Sequence, residues 1–268
     1  MRLAFWRRPR VPVVVLHGLL AARPGALNVA GYGGLIDAAI GAAGKGGTVV
    51  LDIESPGGSP VQSDLIAQRI RRKAAEAEVR VCAVIGEVGA SGGYWLACAG
   101  DEIVAHATSV VGSIGVIGGS FGFDEALARL GVQRRLYTSG ENKARLDPFS
   151  PERPEDVAFV RALLAELHER FKAWVRERRG ARLSGDESAL FDGGWMLGER
   201  ARQLGLVDRL GDVDAVVREI GGARARARLF RPRRRLPLLG LLPRRLLREA
   251  MEAALEVAEE RRGPAARF

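Results

Sequence analysis

The stretch Val79–Ala97, with the sequence VRVCAVIGEVGASGGYWLA, joins an apolar segment, a glycine-rich turn and a second apolar run. Its β-branched first part predicts a buried strand over Val79–Ile85, and a helix is predicted to begin at Ser91. A serine between small residues at the start of a helix suits an exposed nucleophile, because the helix directs free N–H groups towards it. The same residues would also suit a tight turn packed under a sheet, and this stretch alone leaves both interpretations open.

Strands and helices are predicted to alternate on both sides of this stretch. The other predicted strands are Val11–Leu16, Gly47–Ile53, Glu102–Ala105, Val110–Ile117, Gln133–Tyr137 and Leu206–Arg209. The other predicted helices are Tyr32–Ala43, Val61–Glu78, Phe123–Leu130, Pro154–Arg179, Gly198–Leu204 and Val213–Ile220. This order indicates an α/β fold with a largely parallel sheet. Sites in such sheets form where strands end, so the turns at 55–58 and 86–93 are expected at one edge, which favours catalysis at Ser91.

Charge and composition divide the chain into four parts. These are a basic N-terminal segment over 1–10, a body over 11–221, an Arg/Pro-rich linker over 222–243 and an amphipathic helix over 244–268. The net charge is +9, with four Arg in residues 1–10 and 13 Arg against 5 Glu in residues 222–268. The body between them is therefore mildly acidic, and we expect no nucleic-acid partner.

No stretch reaches the roughly 18–20 uninterrupted apolar residues of a membrane span. Residues 11–22 faintly resemble a signal peptide but are better interpreted as containing a buried strand. The helix over 244–268 has three open interpretations: contact with an anionic membrane, packing on a neighbouring subunit, or a solvated charged helix. Cys82 and Cys98 lie among apolar residues, which favours two buried free thiols over a disulfide.

Four motifs in a fixed order resemble the signal peptide peptidase A family of S49 serine peptidases, including its SohB-like members. These motifs are Ser55-Pro56-Gly57-Gly58-Ser59, Gly89-Ala90-Ser91-Gly92-Gly93-Tyr94, Val111-Gly112-Ser113-Ile114-Gly115-Val116-Ile117 and the later Lys143. The segment Gly205–Gly211 is similar to the closing pattern of that family. The resemblance covers about residues 11–220, although Ser-Pro-Gly-Gly alone is shared with Clp-type peptidases and the wider crotonase-like fold.

The resemblance implies a crotonase/Clp-like spiral of β-β-α units and a catalytic Ser-Lys dyad. By matching position, Ser91 is the nucleophile, Lys143 is the general base and Ser113 holds the lysine in place. The backbone N–H groups of Gly57 and Gly92 are expected to form the oxyanion hole. Peptide substrate is expected to add as a strand beside residues 110–117, with contacts from Gly58, Gly115, Val116 and Ile117.

The chemistry of the dyad demands a lysine that can release its proton. A serine hydroxyl is a poor nucleophile until a base accepts its proton. An ordinary lysine is almost wholly protonated at pH 7, and burial in an apolar pocket favours its neutral form. The residues around Lys143 are polar, so the sequence alone does not indicate burial, and a solvated loop lysine is the alternative.

Other residues offer weaker candidates. A Ser-His-Asp triad would need a histidine base, for which only His106 is credible; His17 and His168 are expected to be structural. Tyr94 and Trp95 are expected to pack the helix after Ser91 rather than form a specificity pocket. The flexible, apolar residues 118–123 are expected to form part of the substrate cleft.

We therefore expect a serine endopeptidase that cleaves apolar peptides such as signal-peptide remnants or membrane-protein segments. It would require no metal or cofactor, and the resemblance implies a homo-oligomeric ring or dome. The expected location is the cytoplasm, or the inner face of the membrane through peripheral contact. Two alternatives are a crotonase-like acyl-CoA enzyme, in which Ser91 is incidental, and a catalytically silent scaffold at the membrane.

Overall fold

The strands and helices of the chain alternate as its sequence predicts. The computed structural model describes residues 8–232. The predicted helix over 244–268, half of the linker over 222–243 and most of the basic N-terminal segment over 1–10 therefore lie outside the described residues.

The described strands are β1 (Arg10–His17), β2 (Thr48–Ser55), β3 (Arg80–Ala90), β4 (Glu102–Ala105), β5 (Val110–Gly112), β6 (Trp195–Leu197), β7 (Arg209–Leu210) and β8 (Arg226–Phe230). The α-helices are α1 (Val29–Ala43), α2 (Pro60–Ala77), α3 (Gly92–Ala97), α4 (Asp124–Arg129), α5 (Pro154–Arg179), α6 (Glu187–Leu190), α7 (Gly198–Gln203) and α8 (Val213–Gly221). A single 3₁₀ turn over Gly180–Arg182 follows α5.

The strands form an eight-stranded sheet in the order β6-β5-β3-β2-β1-β8, while β4 pairs with β3 and β7. All pairs are parallel except β5 with β6. β3 is long enough to pair with β4 through its first half and with β5 through its second half. The sheet therefore forks beside the end of β3, where the turn to Ser91 begins.

Two apolar layers cover the sheet. Side chains of α1, α2, α3 and α5 pack against one face, where Ile36, Ile66, Leu96 and Val175 are fully buried. Residues of α8 cover the other face. Alternation along β1 explains the two layers, because Val13 and Val14 point to opposite faces.

Three expectations about local structure are wrong. The strand predicted over Val110–Ile117 ends at Gly112, because Gly112 and Ser113 have positive φ angles of 104° and 51° that turn the chain out of the sheet. The strand predicted over Gln133–Tyr137 is absent; every residue of 131–140 is exposed, and no strand within residues 8–232 pairs with it. The predicted linker does not begin at residue 222, since Arg226–Phe230 forms β8 and pairs with β1.

Candidate active site

Ser91 occupies a strained turn between β3 and α3. Its φ and ψ angles are 52° and −122°, a region that L residues rarely adopt. The Ser91 N–H donates to the carbonyl oxygen of Gly112 at 2.8 Å, and the Ser91 carbonyl accepts from Trp95 N–H at 3.0 Å. The residue is half-buried and its side chain does not cap α3. The hydroxyl is thus held at the end of β3 by bonds through its own backbone.

The glycines around Ser91 permit a close approach of two turns. A β-carbon on Gly57 would lie 2.7 Å from the Ser91 β-carbon and 2.8 Å from the Gly92 nitrogen. A β-carbon on Gly92 would lie 2.5 Å from Ser63 Oγ, and one on Gly93 would lie 2.3 Å from the Ser55 carbonyl oxygen. The two glycine-rich motifs therefore meet as expected, and the Ser91 turn is both tightly packed and able to present a hydroxyl.

Gly57 and Gly92, the two expected oxyanion-hole residues, lie next to each other beside the serine, since a β-carbon on Gly92 would lie 3.3 Å from the Gly57 α-carbon. The Gly57 N–H donates to Ser55 Oγ at 3.2 Å, a long hydrogen bond to a buried hydroxyl. The Gly92 N–H has no acceptor among the described residues. One of the two expected donors is thus free, and the other is held by a bond that an oxyanion would have to displace.

Ser113 follows directly after the residue that holds the Ser91 N–H. Its N–H donates to the Gly194 carbonyl oxygen at 2.6 Å, and its φ angle is 51°. The next carbonyl, that of Ile114, lies 2.9 Å from His168 Nε2 of α5. The segment is therefore fixed to the residue just before β6 on one side and to α5 on the other.

Lys143 lies on the exposed surface. Its N–H donates to the Gly140 carbonyl at 3.2 Å, and its side chain forms no hydrogen bond or ion pair within residues 8–232. It belongs to residues 117–149, which we call the arm. No residue of the arm is buried. The structure brings together Ser91, Gly57, Gly92 and the Ser113 segment, and it does not join Lys143 to them.

The expected peptide-binding edge is narrower than the sequence indicated. β5 pairs with β3 on one side and with β6 on the other, so Val110–Gly112 has no free edge for a peptide. Gly115 and Val116 are half-exposed, and Ile117 is 97% exposed. Gly58, also exposed, forms a bridge with Leu20. These four predicted contact residues remain accessible, whereas the strand before them does not.

His106 and His17 each have a polar partner close by, and both thiols are buried. His106 Nδ1 lies 2.9 Å from Thr108 Oγ1, and His17 Nε2 lies 3.1 Å from Asp52 Oδ2. Burial raises the pKa of Cys82 and of Cys98 to about 12, so neither thiol is ionised at neutral pH. Both cysteines are free, as expected.

The aromatic residues after Ser91 pack the interior. The Tyr94 hydroxyl is fully buried and donates to the Leu206 carbonyl oxygen at 2.7 Å. Trp95 stacks on Phe171 with ring centroids 4.8 Å apart. The expectation that they pack the helix is confirmed for both residues.

Sequence reasoning assigned no role to three groups that support the site. Ser55 Oγ, the Gly194 carbonyl and His168 each bind a backbone group of the site. The pair Gly193-Gly194 was the one available signal, because adjacent glycines commonly mark a close backbone approach. His168 gave none, since its partner is 54 positions away.

Within residues 8–232, no helix combines the length and the apolar character that crossing a membrane requires.

Comparison with known proteins identifies relatives of this chain. It is 45% identical over 241 residues to a Brucella melitensis protein named "Na(+)/H(+) antiporter NhaA", covering 88% of this chain and 32% of that protein. It is 30% identical over 175 residues to "Probable protease SohB" of Buchnera aphidicola, covering 65% of this chain and 51% of that one. A protein of Enterococcus faecium whose name includes "signal peptide peptidase SppA" is 29% identical over 163 residues, covering 61% of this chain and 47% of its own length. The chain thus spans between a third and about half of these relatives.

The α/β architecture with its mostly parallel sheet agrees with the crotonase/Clp-like fold that the sequence resemblance implies. Residues 73–225 match the profile of "Peptidase family S49", and this segment contains both Ser91 and the arm. Because the match covers more than half of the sequence, the chain belongs to peptidase family S49.

Proposed function

We propose that this chain is a serine endopeptidase with Ser91 as nucleophile. The observation that carries the proposal is the strained turn at Ser91, against which the Gly57 turn packs so closely that a β-carbon could not fit. The carbonyl carbon of a peptide bound at this turn would be attacked by the Ser91 hydroxyl oxygen. Strained residues over-determined by their surroundings are concentrated at active sites.

The oxyanion of the tetrahedral intermediate would be stabilised by the N–H groups of Gly57 and Gly92. The Gly92 N–H opens α3, where the helix dipole adds to the stabilisation. The Gly57 N–H would exchange its long bond to Ser55 Oγ for a charge-assisted one, which is the stronger interaction.

Lys143 would act as the general base, with Ser113 holding its amine. The neutral amine accepts the proton of the Ser91 hydroxyl as the new C–O bond forms, and returns it to the leaving amine as the C–N bond breaks. Water then attacks the acyl-enzyme, and the same amine accepts and returns a proton. No metal or cofactor takes part in these steps.

We propose further that the base reaches Ser91 from a second copy of the chain. The arm exposes apolar side chains at positions 117, 121, 123, 130, 132, 136, 137, 146 and 149, and monomeric proteins rarely expose so many close together. Burying the arm against a second copy would remove this surface from water. It would also desolvate Lys143, which favours the neutral form that a base requires.

The substrate would be an extended apolar peptide, such as a signal-peptide remnant or a segment of a membrane protein. Val116 and Ile117 could pair with its backbone after β5 has ended, and Gly58 could contact it from the opposite side. The exposed apolar residues of 117–123 would contact its side chains. The antiporter activity in one relative's name is not proposed here, because two thirds of that protein has no counterpart in this chain.

Subunit mixing tests the shared site. Ser91→Ala and Lys143→Ala chains are each expected to be inactive towards a fluorogenic apolar peptide. Mixed under conditions that allow subunit exchange, they should recover a substantial fraction of wild-type activity, because one chain supplies Ser91 and the other Lys143. Two inactive variants that stay inactive in mixed oligomers would contradict a shared site. An active Lys143→Ala variant would contradict the dyad.

Contact with an anionic membrane is proposed for the edge formed by β1 and β8. Arg10 and Arg226 are cross-strand neighbours there, and like charges in such positions repel. Arg10, Arg224, Arg226 and Arg228 are exposed and form no ion pair within the described residues. Phosphate headgroups would relieve this repulsion.

The membrane proposal is tested by sedimentation with vesicles of phosphatidylglycerol and phosphatidylcholine. Replacing Arg226 and Arg228 by Gln should weaken binding to the anionic vesicles. Replacing Arg161 and Arg170, which are exposed and unpaired on α5 in the described structure, is the matched control. Equal binding by both double variants would contradict the proposal that the edge formed by β1 and β8 contacts the membrane.

A further inference from the structure

Asp156 is a buried carboxylate in the first turn of α5. It is 4% exposed, although the residues before it in that turn are exposed. Arg153 donates to both carboxylate oxygens, from Nε at 3.0 Å and from the terminal nitrogen at 3.0 and 2.9 Å. Desolvation acts to raise the pKa of Asp156, but the hydrogen bonds from Arg153 and Leu146 outweigh it and hold that pKa below its usual value. The side chain is therefore a carboxylate at neutral pH.

The carboxylate holds the end of the arm that carries Lys143. The Leu146 N–H donates to Asp156 Oδ2 at 3.4 Å, and Arg145 Nε lies 3.5 Å from Oδ1. Leu146 has a φ angle of 58°, in the left-handed region that L residues rarely adopt. A conformation of this kind persists only when neighbouring contacts maintain it, and the Asp156 carboxylate supplies such contacts.

Arg145 strengthens the same anchor. Its guanidinium carbon lies 4.5 Å from the ring centroid of Phe159, one turn further along α5. Arg145 and Leu146, two and three residues after Lys143, are therefore both bound to the start of α5. The lysine lies on a chain segment whose exit is fixed to a helix.

The same helix holds the other parts of the site. His168 Nε2 lies 2.9 Å from the Ile114 carbonyl, next to Ser113. Trp174 Nε1 donates to the Trp95 carbonyl at 3.0 Å, one helical turn after Ser91. Asp156 and Trp174 are about 27 Å apart along the axis, at 1.5 Å per residue. α5 thus connects Asp156, which holds the end of the arm, to α3, which follows Ser91. Displacement of either end of α5 would change the direction in which the arm holds Lys143.

We propose that Asp156 is a positioning residue, which fixes the direction in which the arm presents Lys143. This inference rests on the proposed peptidase function, in which Lys143 is the base. The carboxylate is already paired with two arginines, so it acts through the backbone of the arm and not by direct contact with the lysine.

The test compares Asp156→Asn with Glu155→Gln in the full chain. Glu155 precedes Asp156 in the same turn, is exposed, and loses the same charge without touching the arm. Asp156→Asn should lower kcat by about 10²-fold with KM unchanged, because a catalytic group displaced by about 1 Å costs a factor of this size. Asp156→Glu, which keeps the charge, should recover part of kcat. It also provides a folded variant if the Asn variant is unstable.

Subunit mixing separates positioning from general destabilisation. An Asp156→Asn chain keeps its own Ser91 and carries a misdirected Lys143. Mixed with Ser91→Ala chains, which supply a well-placed Lys143, it should recover activity. Mixed with Lys143→Ala chains, it should not, because the only lysine present is then the misdirected one. A loss of stability alone would not produce this asymmetry.

Hydrogen exchange gives a readout that does not depend on activity. Amides of residues 143–149 should exchange faster in Asp156→Asn than in Glu155→Gln. If wild type is active and Asp156→Asn matches Glu155→Gln in kcat, the positioning role is wrong and the peptidase stands. If wild type neither cleaves peptides nor labels at Ser91, the proposed peptidase function fails, whatever the exchange rates show.

Discussion

Gly57 and Ser91 approach so closely that a β-carbon on the glycine would lie 2.7 Å from that of the serine and 3.0 Å from its hydroxyl oxygen. Gly57 also has a φ angle of 103°, which favours glycine on conformational grounds alone. The two glycine-rich motifs are therefore coupled through a single contact.

Gly57→Ala should abolish peptidase activity. The added methyl group would force apart the turn and Ser91, and would displace the Gly57 N–H from the oxyanion, whose loss alone costs about 10²–10³-fold in kcat. Gly25→Ala is the control for backbone strain, because Gly25 also has a positive φ, of 81°, but open space around it. Normal kcat in the Gly57 variant would show that this turn takes no part in the reaction.

Ser91→Gly should be more stable than Ser91→Ala, although neither variant should be active. Glycine adopts the φ angle of 52° without the steric cost that alanine retains, so we expect a difference of about 1 kcal/mol in the free energy of unfolding. Denaturant titration measures it. At Ser120, whose φ is not positive, the Gly variant should be no more stable than the Ala variant. If the Gly variant were more stable than the Ala variant at both positions, the difference at position 91 could not be attributed to strain at Ser91.

Three serine substitutions in the arm, at Ile117, Phe121 and Tyr137, should lower the oligomeric state and the activity together. These side chains are 97%, 80% and 88% exposed, so their removal should leave the free energy of unfolding of the body nearly unchanged. Light scattering coupled to gel filtration gives the mass. Serine at Leu19 and Val61, which are exposed apolar residues outside the arm, is the control. An unchanged, fully active oligomer would exclude the arm from the interface.

The pair formed by Asp208 and Arg179 should make stability depend on pH. Arg179 is 1% exposed in its side chain and binds both carboxylate oxygens of Asp208 at 2.8 Å. Desolvation acts to raise the pKa of Asp208, but hydrogen bonds from Arg179 and the Ile103 N–H hold it below its usual value. The stabilisation is therefore present above the unfolded pKa, about 3.9, and is lost as pH falls through the lower folded value.

Asp208→Asn should consequently cost about 3 kcal/mol at pH 7, since it leaves a buried guanidinium without its counter-charge. The difference from wild type should shrink as pH falls below about 4 towards the lower folded pKa of Asp208, because the wild-type carboxylate is itself protonated below that value. Urea titrations between pH 3 and pH 7 measure this difference. Asp214→Asn is the control and should show a much smaller difference from wild type, because an exposed carboxylate in the first turn of α8 contributes less than about 1 kcal/mol. A difference that grew towards acid would reverse the assigned sign.

Regular, strongly patterned elements were predictable from the sequence. β4 and α5 have the predicted bounds, because their apolar patterns coincide with their buried faces. β5 was overestimated because apolar residues continue past Gly112, while the turn there depends on backbone angles that the pattern does not report. β8 was missed because alternating arginine and alanine is typical of a linker, and only pairing with β1 makes it a strand.

For the candidate site, contacts between the sequence motifs were predictable, but contacts with distant residues were not. Small residues around Ser55–Gly58 and Ser91 indicated that two turns meet, and they do. Partners far away in sequence could not be predicted: His168 reaches Ile114, and Trp174 reaches Trp95, through contacts that tertiary packing alone creates. The exposure of Lys143 was equally unpredictable, since its polar neighbours suit both a solvated loop and an interface.

The most direct measurement is labelling with a serine-directed fluorophosphonate, followed by peptide mapping, on wild type, Ser91→Ala and Lys143→Ala. We predict a single adduct on Ser91 in wild type and none in Ser91→Ala. In Lys143→Ala we expect labelling slowed by at least about 10²-fold, within the range attributed to general-base catalysis. Absence of an adduct in folded wild-type oligomers, or labelling of Ser91 at an equal rate without Lys143, would contradict the account.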